Sequence, residues 1–441
     1  MYEMKYRDKN EMKESEIAWL GTVPENWDIV TLSRLFFIRA GGDLKTKFFN
    51  EVKSENHKYP IYTNNRNPDN VYGYTTKPFF NRNTITVTGR GDIGFACYRN
   101  VEYDAIIRLL VLTPKNNENC KFFEHFINGR LNFSVGSSAI NQLSTQQIAP
   151  YKVFVPKLNE QQKIANFLDL KIAQFDNIII KKEQLIKKLK EAKKSLISEV
   201  VTGKMKIVEG KLVERNASEM KDSGVEWLGM LPVDWITEKM KYIGKAIIGL
   251  TYSPDNVVDE KGTLVLRSSN VQNGKITFEN NVYVDKKINP KLAVKEGDLL
   301  ICSRNGSRKL IGKNALILKE HEGATFGAFM TIFRTKYSGF IHLVLNSTLF
   351  DYQAGSYLTS TVNQLTISNL NNMVVPFPTI REQEEIQEYL SRKLDLLTKT
   401  IDLIVVQIKK LKQAKQSLIS EAVTGKIDLR DWEIIEEGEL Q

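Results

Sequence analysis

The chain of 441 residues is 42% apolar, 26% charged and 10% aromatic, which excludes a disordered protein and allows two or three domains with substantial cores. No apolar run approaches the roughly 20 residues needed to cross a bilayer, and three scattered cysteines (Cys97, Cys120, Cys302) exclude a disulfide scaffold and fit a reducing cytoplasm. The net charge of +10 points to an anionic partner, nucleic acid before membrane, although a Lys- and Asn-rich proteome would give the same charge.

Residues 1–18 read as a polar arm, and the charged start Met1–Lys13 lacks a signal-peptide core. From Trp19 onward, short apolar runs are broken by Gly, Asn and Pro: Ile29–Ile38, Thr84–Thr88, Phe95–Tyr98 and Ile106–Leu112. Such lengths predict short strands with long loops. Lys121–Phe133 predicts a helix with Phe122, Phe126 and Ile127 on one face, and Val153–Val155 a closing strand before Pro156. From Asn159 to Thr202 there is neither Pro nor Gly. Leu168, Ile172, Phe175, Ile179, Ile186, Leu189, Leu196 and Val200 recur there at helical spacing and predict a coiled-coil seam. Lys182 and Lys193 interrupt it, as points where the seam is loose or faces a partner.

The chain then repeats its own frame. Leu189–Lys204, LKEAKKSLISEVVTGK, returns as Leu411–Lys426, LKQAKQSLISEAVTGK, with 13 of 16 positions identical. Asn141-Gln142-Leu143, Pro156 and Glu160-Gln161 return as Asn363-Gln364-Leu365, Pro378 and Glu382-Gln383. Trp19-Leu20-Gly21, Pro24 and Trp27 return as Trp227-Leu228-Gly229, Pro232 and Trp235. The bodies between these marks, roughly 30–140 and 238–360, share almost nothing. The second helix carries Leu390, Leu394, Leu397, Ile401, Ile404, Ile408, Leu411, Leu418 and Ala422, with only Lys415 out of pattern. Gly203 and Gly425 stand where left-handed helix caps are wanted. Two such stripes must be buried, most simply on one another about a pseudo-two-fold axis, antiparallel, with one body near each end. Lys204–Gly224 is then a short charged linker. Gly425 should finish close to where the first body begins, and the acidic end is expected to be a tail.

Enzyme motifs fail on context. Gly89–Gly94 matches G-x-G-x-x-G, but strand-like Phe95–Tyr98 follows it where a dinucleotide site needs a helix. Histidines and cysteines form no ligand pairs, and no catalytic constellation emerges. The polar and basic loop residues remain. In the first body they are Lys45, Lys47, Asn64, Asn65, Arg66, Arg90 and Asp92; in the second, Ser253, Arg267, Ser268, Asn270, Arg304, Asn305, Ser307, Arg308 and Lys309. Arg and Lys suit guanine edges and phosphates, and Asn suits adenine edges, while a solvated loop accounts for any one of them equally simply. Asn141-Gln142 and Asn363-Gln364 fit capping a backbone or touching a ligand. Ser195, Ser198 and Glu199, repeated as Ser417, Ser420 and Glu421, present small polar helix faces suited to the close approach of a partner, with ordinary surface serines as the simpler account.

The repeated SLISE-x-V-T-G-K ends, Pro-x-x-x-Glu-Gln helix entrances, Trp-Leu-Gly-x-x-Pro-x-x-Trp starts and NQL marks together resemble the specificity subunit of type I restriction–modification systems. The resemblance covers essentially the whole chain. It implies an α+β fold of two β-rich target recognition domains joined by two long antiparallel helices, with an internal repeat. The expected divisions are 1–155, first recognition domain; 156–204, first spacer helix; 205–378, linker and second recognition domain; 379–426, second spacer helix; and 427–441, acidic tail. It implies a non-catalytic cytoplasmic subunit that binds double-stranded DNA, docks two modification subunits, and joins two restriction subunits in the full complex. S-adenosylmethionine, ATP and magnesium are expected only on those partners, and no membrane is involved. The alternatives are a protein–protein scaffold and a stand-alone DNA-processing enzyme.

Overall fold

The computed structural model describes residues 5–15, 17, 20–133, 142–357 and 363–433. Trp19, Asn141 and the acidic end beyond residue 433 lie outside the described residues. The chain divides into two compact units, Met1–Lys182 with Val405–Gln441, and Glu183–Ile404. Each contains one body and a segment of each long helix. The helices run from Leu158 to Val201 and from Ile380 to Val423, 44 residues each.

In the first unit an antiparallel sheet has the order Phe36–Ala40, Leu110–Pro114, Thr84–Val87, Ala96–Arg99. A second sheet has the order Asp104–Ala105, Tyr59–Tyr62, Gly73–Thr75, Phe49–Asn50, its first pair parallel. The helix Cys120–Arg130 starts where Asn119 accepts hydrogen bonds from the Lys121 and Phe122 amides. It buries Phe122, Phe123 and Phe126 in one core with Ile85, Val87 and Leu112, about 2–3 kcal/mol for each ring.

The second unit repeats this plan. Its sheets run Lys245–Ile248, Met330–Arg334, Leu299–Cys302, Asn314–Leu316, and Thr325–Phe326, Thr263–Leu266, Tyr283–Val284, Val257–Val258. The first pair of the latter is again parallel. Bodies that share almost no sequence therefore share one topology, and their differences lie in loops and surface side chains.

The frame marks pack alike in both units. Gly425 and Gly203 are left-handed (φ +69° and +72°), and a Cβ on either would strike Pro24 or Pro232. Trp27 donates to Glu160 Oε2 (3.1 Å) and Trp235 to Glu382 Oε2 (2.7 Å). The other oxygen of each carboxylate takes Arg7 or Arg215. The helix segments run antiparallel. Lys182 reaches Gln407 (2.7 Å) and Lys415 reaches Asp176 (2.6 Å) in the first unit, and Lys193 reaches Thr398 (2.9 Å) in the second. Each of these lysines thus finds a polar group on the facing helix.

Three segments differ from the sequence reading. The polar arm is structured: Met12–Glu14 pairs with Thr22–Pro24, and Arg7 is buried. The linker holds a hairpin, Met205–Val208 with Lys211–Glu214. The last segment is not a free tail through residue 432, because Ile427, Leu429 and Trp432 join the first unit's core. The expected closure is present, with the Arg7 amide donating to the Lys426 carbonyl (2.9 Å). Among the described residues no helix is long and apolar enough to cross a membrane.

Candidate nucleic-acid interface

In both units a group of the candidate residues lies at the end of the strand in the third place of the first sheet. After Thr84–Val87 the chain turns through Gly89–Gly94, using left-handed glycines at 91 and 94 (φ +68° and +88°), and runs into Ala96–Arg99. No helix opens there, so the glycine pattern is a strand-to-strand turn. Asn64 fixes it. Its Oδ1 accepts from the amides of Gly89 (2.7 Å) and Arg90 (3.2 Å), and its Nδ2 donates to the Ile107 carbonyl (2.6 Å). Three bonds hold this side chain, so Asn64 positions the turn and keeps one Nδ2 hydrogen for a further contact.

The Arg90 guanidinium donates through Nε (3.1 Å) and Nη2 (2.8 Å) to Gln142 Oε1. Arg66 lies 5.7 Å from the Phe95 ring. Asp92 is exposed, and its backbone carbonyl accepts from Thr88. Asn64, Arg66, Arg90 and Asp92 thus share one rim. Asn65 closes its own turn on the Asn67 amide (2.8 Å). Lys45 and Lys47 are exposed on the turn before Phe49–Asn50, with Lys45 over the Phe79 ring.

In the second unit Ser303 and Arg304 follow Leu299–Cys302, and both amides donate to the Phe329 carbonyl (3.0 Å each). The Arg304 guanidinium lies 5.2 Å from the ring of Phe329, which is 58% exposed. Asn305 reaches Ser268 Oγ (3.2 Å) and Lys313 the Ser268 carbonyl (3.4 Å), so these three residues converge. Arg267 donates to the Asn280 carbonyl (2.7 Å) and Arg308 to the Gly355 carbonyl (3.3 Å). Lys309 is exposed, and the Ser307 amide is held by Asn305. Ser253 sits apart, bonded to Asn256 Oδ1 (3.2 Å). Asn270 is a correction: it is fully buried, and bonds to the Arg267 amide, the Thr277 carbonyl and Asn281 consume its side chain.

The helix serines also divide. Ser195 bonds Glu199 and Ser417 bonds Glu421 along the outer helix surface. Ser198 instead accepts from the Thr348 amide and hydroxyl (2.9 Å each), and Ser420 accepts from Arg130 (3.3 Å). Ser198 and Ser420 therefore fasten each helix end to a body of its own unit. Glu421 also accepts from the Tyr6 hydroxyl (2.9 Å).

Sequence reasoning singled out Gln142, through the repeated NQL mark, without its role as the partner of Arg90, and missed Phe329, Lys313 and Ile107. Among the described residues no group of His, Cys, Asp and Glu could hold a metal ion.

Residues 24–191 match the model of the type I restriction modification DNA specificity domain. A Mycoplasma pneumoniae protein assigned as a type I specificity subunit is 35% identical over 132 residues, 30% of this chain and 36% of that protein. The specificity subunit of the Escherichia coli K12 type I restriction enzyme EcoKI is 27% identical over 211 residues, 45% of this chain and 44% of that protein. The chain thus spans less than half the length of either relative. A solved structure described as the structural basis of complex assembly and conformational transition of the type I R-M system shares the fold. Its TM-score is 0.67 at 13% identity, covering 92% of this chain and 99% of that one.

Proposed function

We propose that this chain, which carries a type I restriction–modification DNA specificity domain, is the DNA-recognition subunit of such a complex. Each body reads one half of an asymmetric bipartite duplex site. The two long helices set the gap and dock two modification subunits, which supply the adenine methyltransferase with its S-adenosylmethionine. Two restriction subunits, using ATP and magnesium, complete the assembly in the cytoplasm. The chain itself is non-catalytic.

One observation carries this reading: a single topology is built twice, and the two rims differ. A common scaffold with different surface side chains is what two readers of different half-sites require, because base edges specify while backbone contacts position. A rod of about 66 Å per helix, at 1.5 Å per residue, holds spacing as a fixed length. The test enriches duplexes from a random pool with the chain co-purified with its modification subunit. Two different short motifs at one fixed gap are expected. No motif, with binding insensitive to salt, would sink the reading and favour a protein scaffold.

A further inference from the structure

Arg90 and Arg304 occupy the same place in the two units. The Leu143 amide donates to the Gly89 carbonyl (2.8 Å), and the Leu365 amide to the Ser303 carbonyl (2.7 Å), which fixes the register of the following residue. Around it the side chains differ, Gly89 against Ser303 and Gly91 against Asn305, but the arginine is unchanged. The turn is held in both units by unrelated atoms: Asn64 Oδ1 gathers one pair of amides and the Phe329 carbonyl the other.

Neither arginine makes a salt bridge among the described residues. Arg90 is oriented by a neutral amide, Gln142, and Arg304 lies beside an aromatic ring. A carboxylate would hold a guanidinium more strongly, but it would cancel the charge. An amide and a ring orient the cation and leave its charge available.

Resting on the DNA reading above, we propose that Arg90 and Arg304 are matched phosphate anchors, one per unit, and that Gln142 is a positioning residue that aims Arg90. Two readers of different sequences that keep one arginine in one place must share a target feature. In duplex DNA that feature is the backbone. The flanking loop residues, which differ, carry the sequence discrimination.

The test uses the full chain and a fluorescent duplex of random sequence across a salt series, with Arg90→Gln, Arg304→Gln and Gln142→Glu. Each arginine variant is expected to bind several-fold more weakly and to lower the log–log salt slope by about 0.9, with the enriched motif unchanged. Gln142→Glu should reproduce the Arg90 slope loss, because its carboxylate neutralises the anchor. Arg304 is exposed, so Arg304→Gln keeps the proposal exposed to refutation should a variant in the first unit fold poorly. An unchanged slope in the arginine variants, or an altered motif at one half-site, would overturn the anchor assignment. Salt-insensitive binding by the unaltered chain would overturn the DNA reading itself, and the anchors with it.

Discussion

Lys415 Nζ lies 2.6 Å from Asp176 Oδ1 across the helix pair of the first unit. The equivalent lysine of the repeat, Lys193, meets the hydroxyl of Thr398 at 2.9 Å. Desolvation, then repulsion from Lys275, pulls the Lys193 ammonium below the usual lysine range. Thr398→Asp should restore the missing ion pair and stabilise the second unit by about 0.5 kcal/mol, and Asp176→Asn should weaken the first unit by a similar amount. Denaturant unfolding of the full chain at two salt concentrations checks both, since the gain should shrink as salt rises.

Glu160 joins two buried partners, Arg7 and Trp27, and the arginine side chain is 1% exposed. Removing one member of a buried pair costs most where the other charge is stranded; Asp428, 4.0 Å from Arg7, offsets part of that loss, so Glu160→Ala should cost about 3 kcal/mol. Glu382→Ala should cost less, because its Arg215 is 11% exposed. Equal losses in chemical denaturation would show that burial does not govern these pairs.

The second unit should lose stability as pH falls through the histidine range. Burial, then repulsion from Lys193, pushes His342 down to about 4 from 6.5. Between those values the unfolded chain binds a proton that the folded chain refuses. The contribution is therefore complete above 6.5 and declines as pH falls toward 4. His342→Gln should flatten that part of the pH–stability curve, measured by denaturant midpoints at each pH.

Ile107 is a β-branched residue in the left-handed region (φ +53°), 43% exposed on the first rim. Its amide donates to the Gly42 carbonyl (3.0 Å) and its carbonyl accepts from Asn64. Asn tolerates this conformation, so Ile107→Asn should stabilise the chain by about 1 kcal/mol. A melting temperature that falls instead would mean that packing around Ile107 outweighs the strain.

The frame was legible because it is written twice. Pro24 against Gly425 and Pro232 against Gly203 give the repeated letters one steric role. The closure of Lys426 onto Arg7 followed from the repeat as well. The shared topology of the bodies was hidden, since strands as short as Phe49–Asn50 and Val257–Val258 show no period. Asn64 and Asn270 looked like free readers. Their partners are backbone groups contributed by tertiary folding, such as the amide of Gly89, 25 residues from Asn64. The contacts of Ser198 and Ser420 with their own bodies were hidden in the same way, because sequence does not show which helix face a body docks on.

Met205 pairs with Glu214 in a hairpin that turns at Glu209-Gly210, both left-handed (φ +50° and +72°). At the matching place in the first unit, Ile427 pairs with Tyr6, a residue far from it in sequence. The Arg215 amide meets the Lys204 carbonyl just as the Arg7 amide meets that of Lys426, each at 2.9 Å. A circular permutant, linked from residue 433 to residue 5 and cut between Glu209 and Gly210, would keep every strand pair of both units. Pairing at these two places is therefore set by the strands themselves, whether or not a turn joins them.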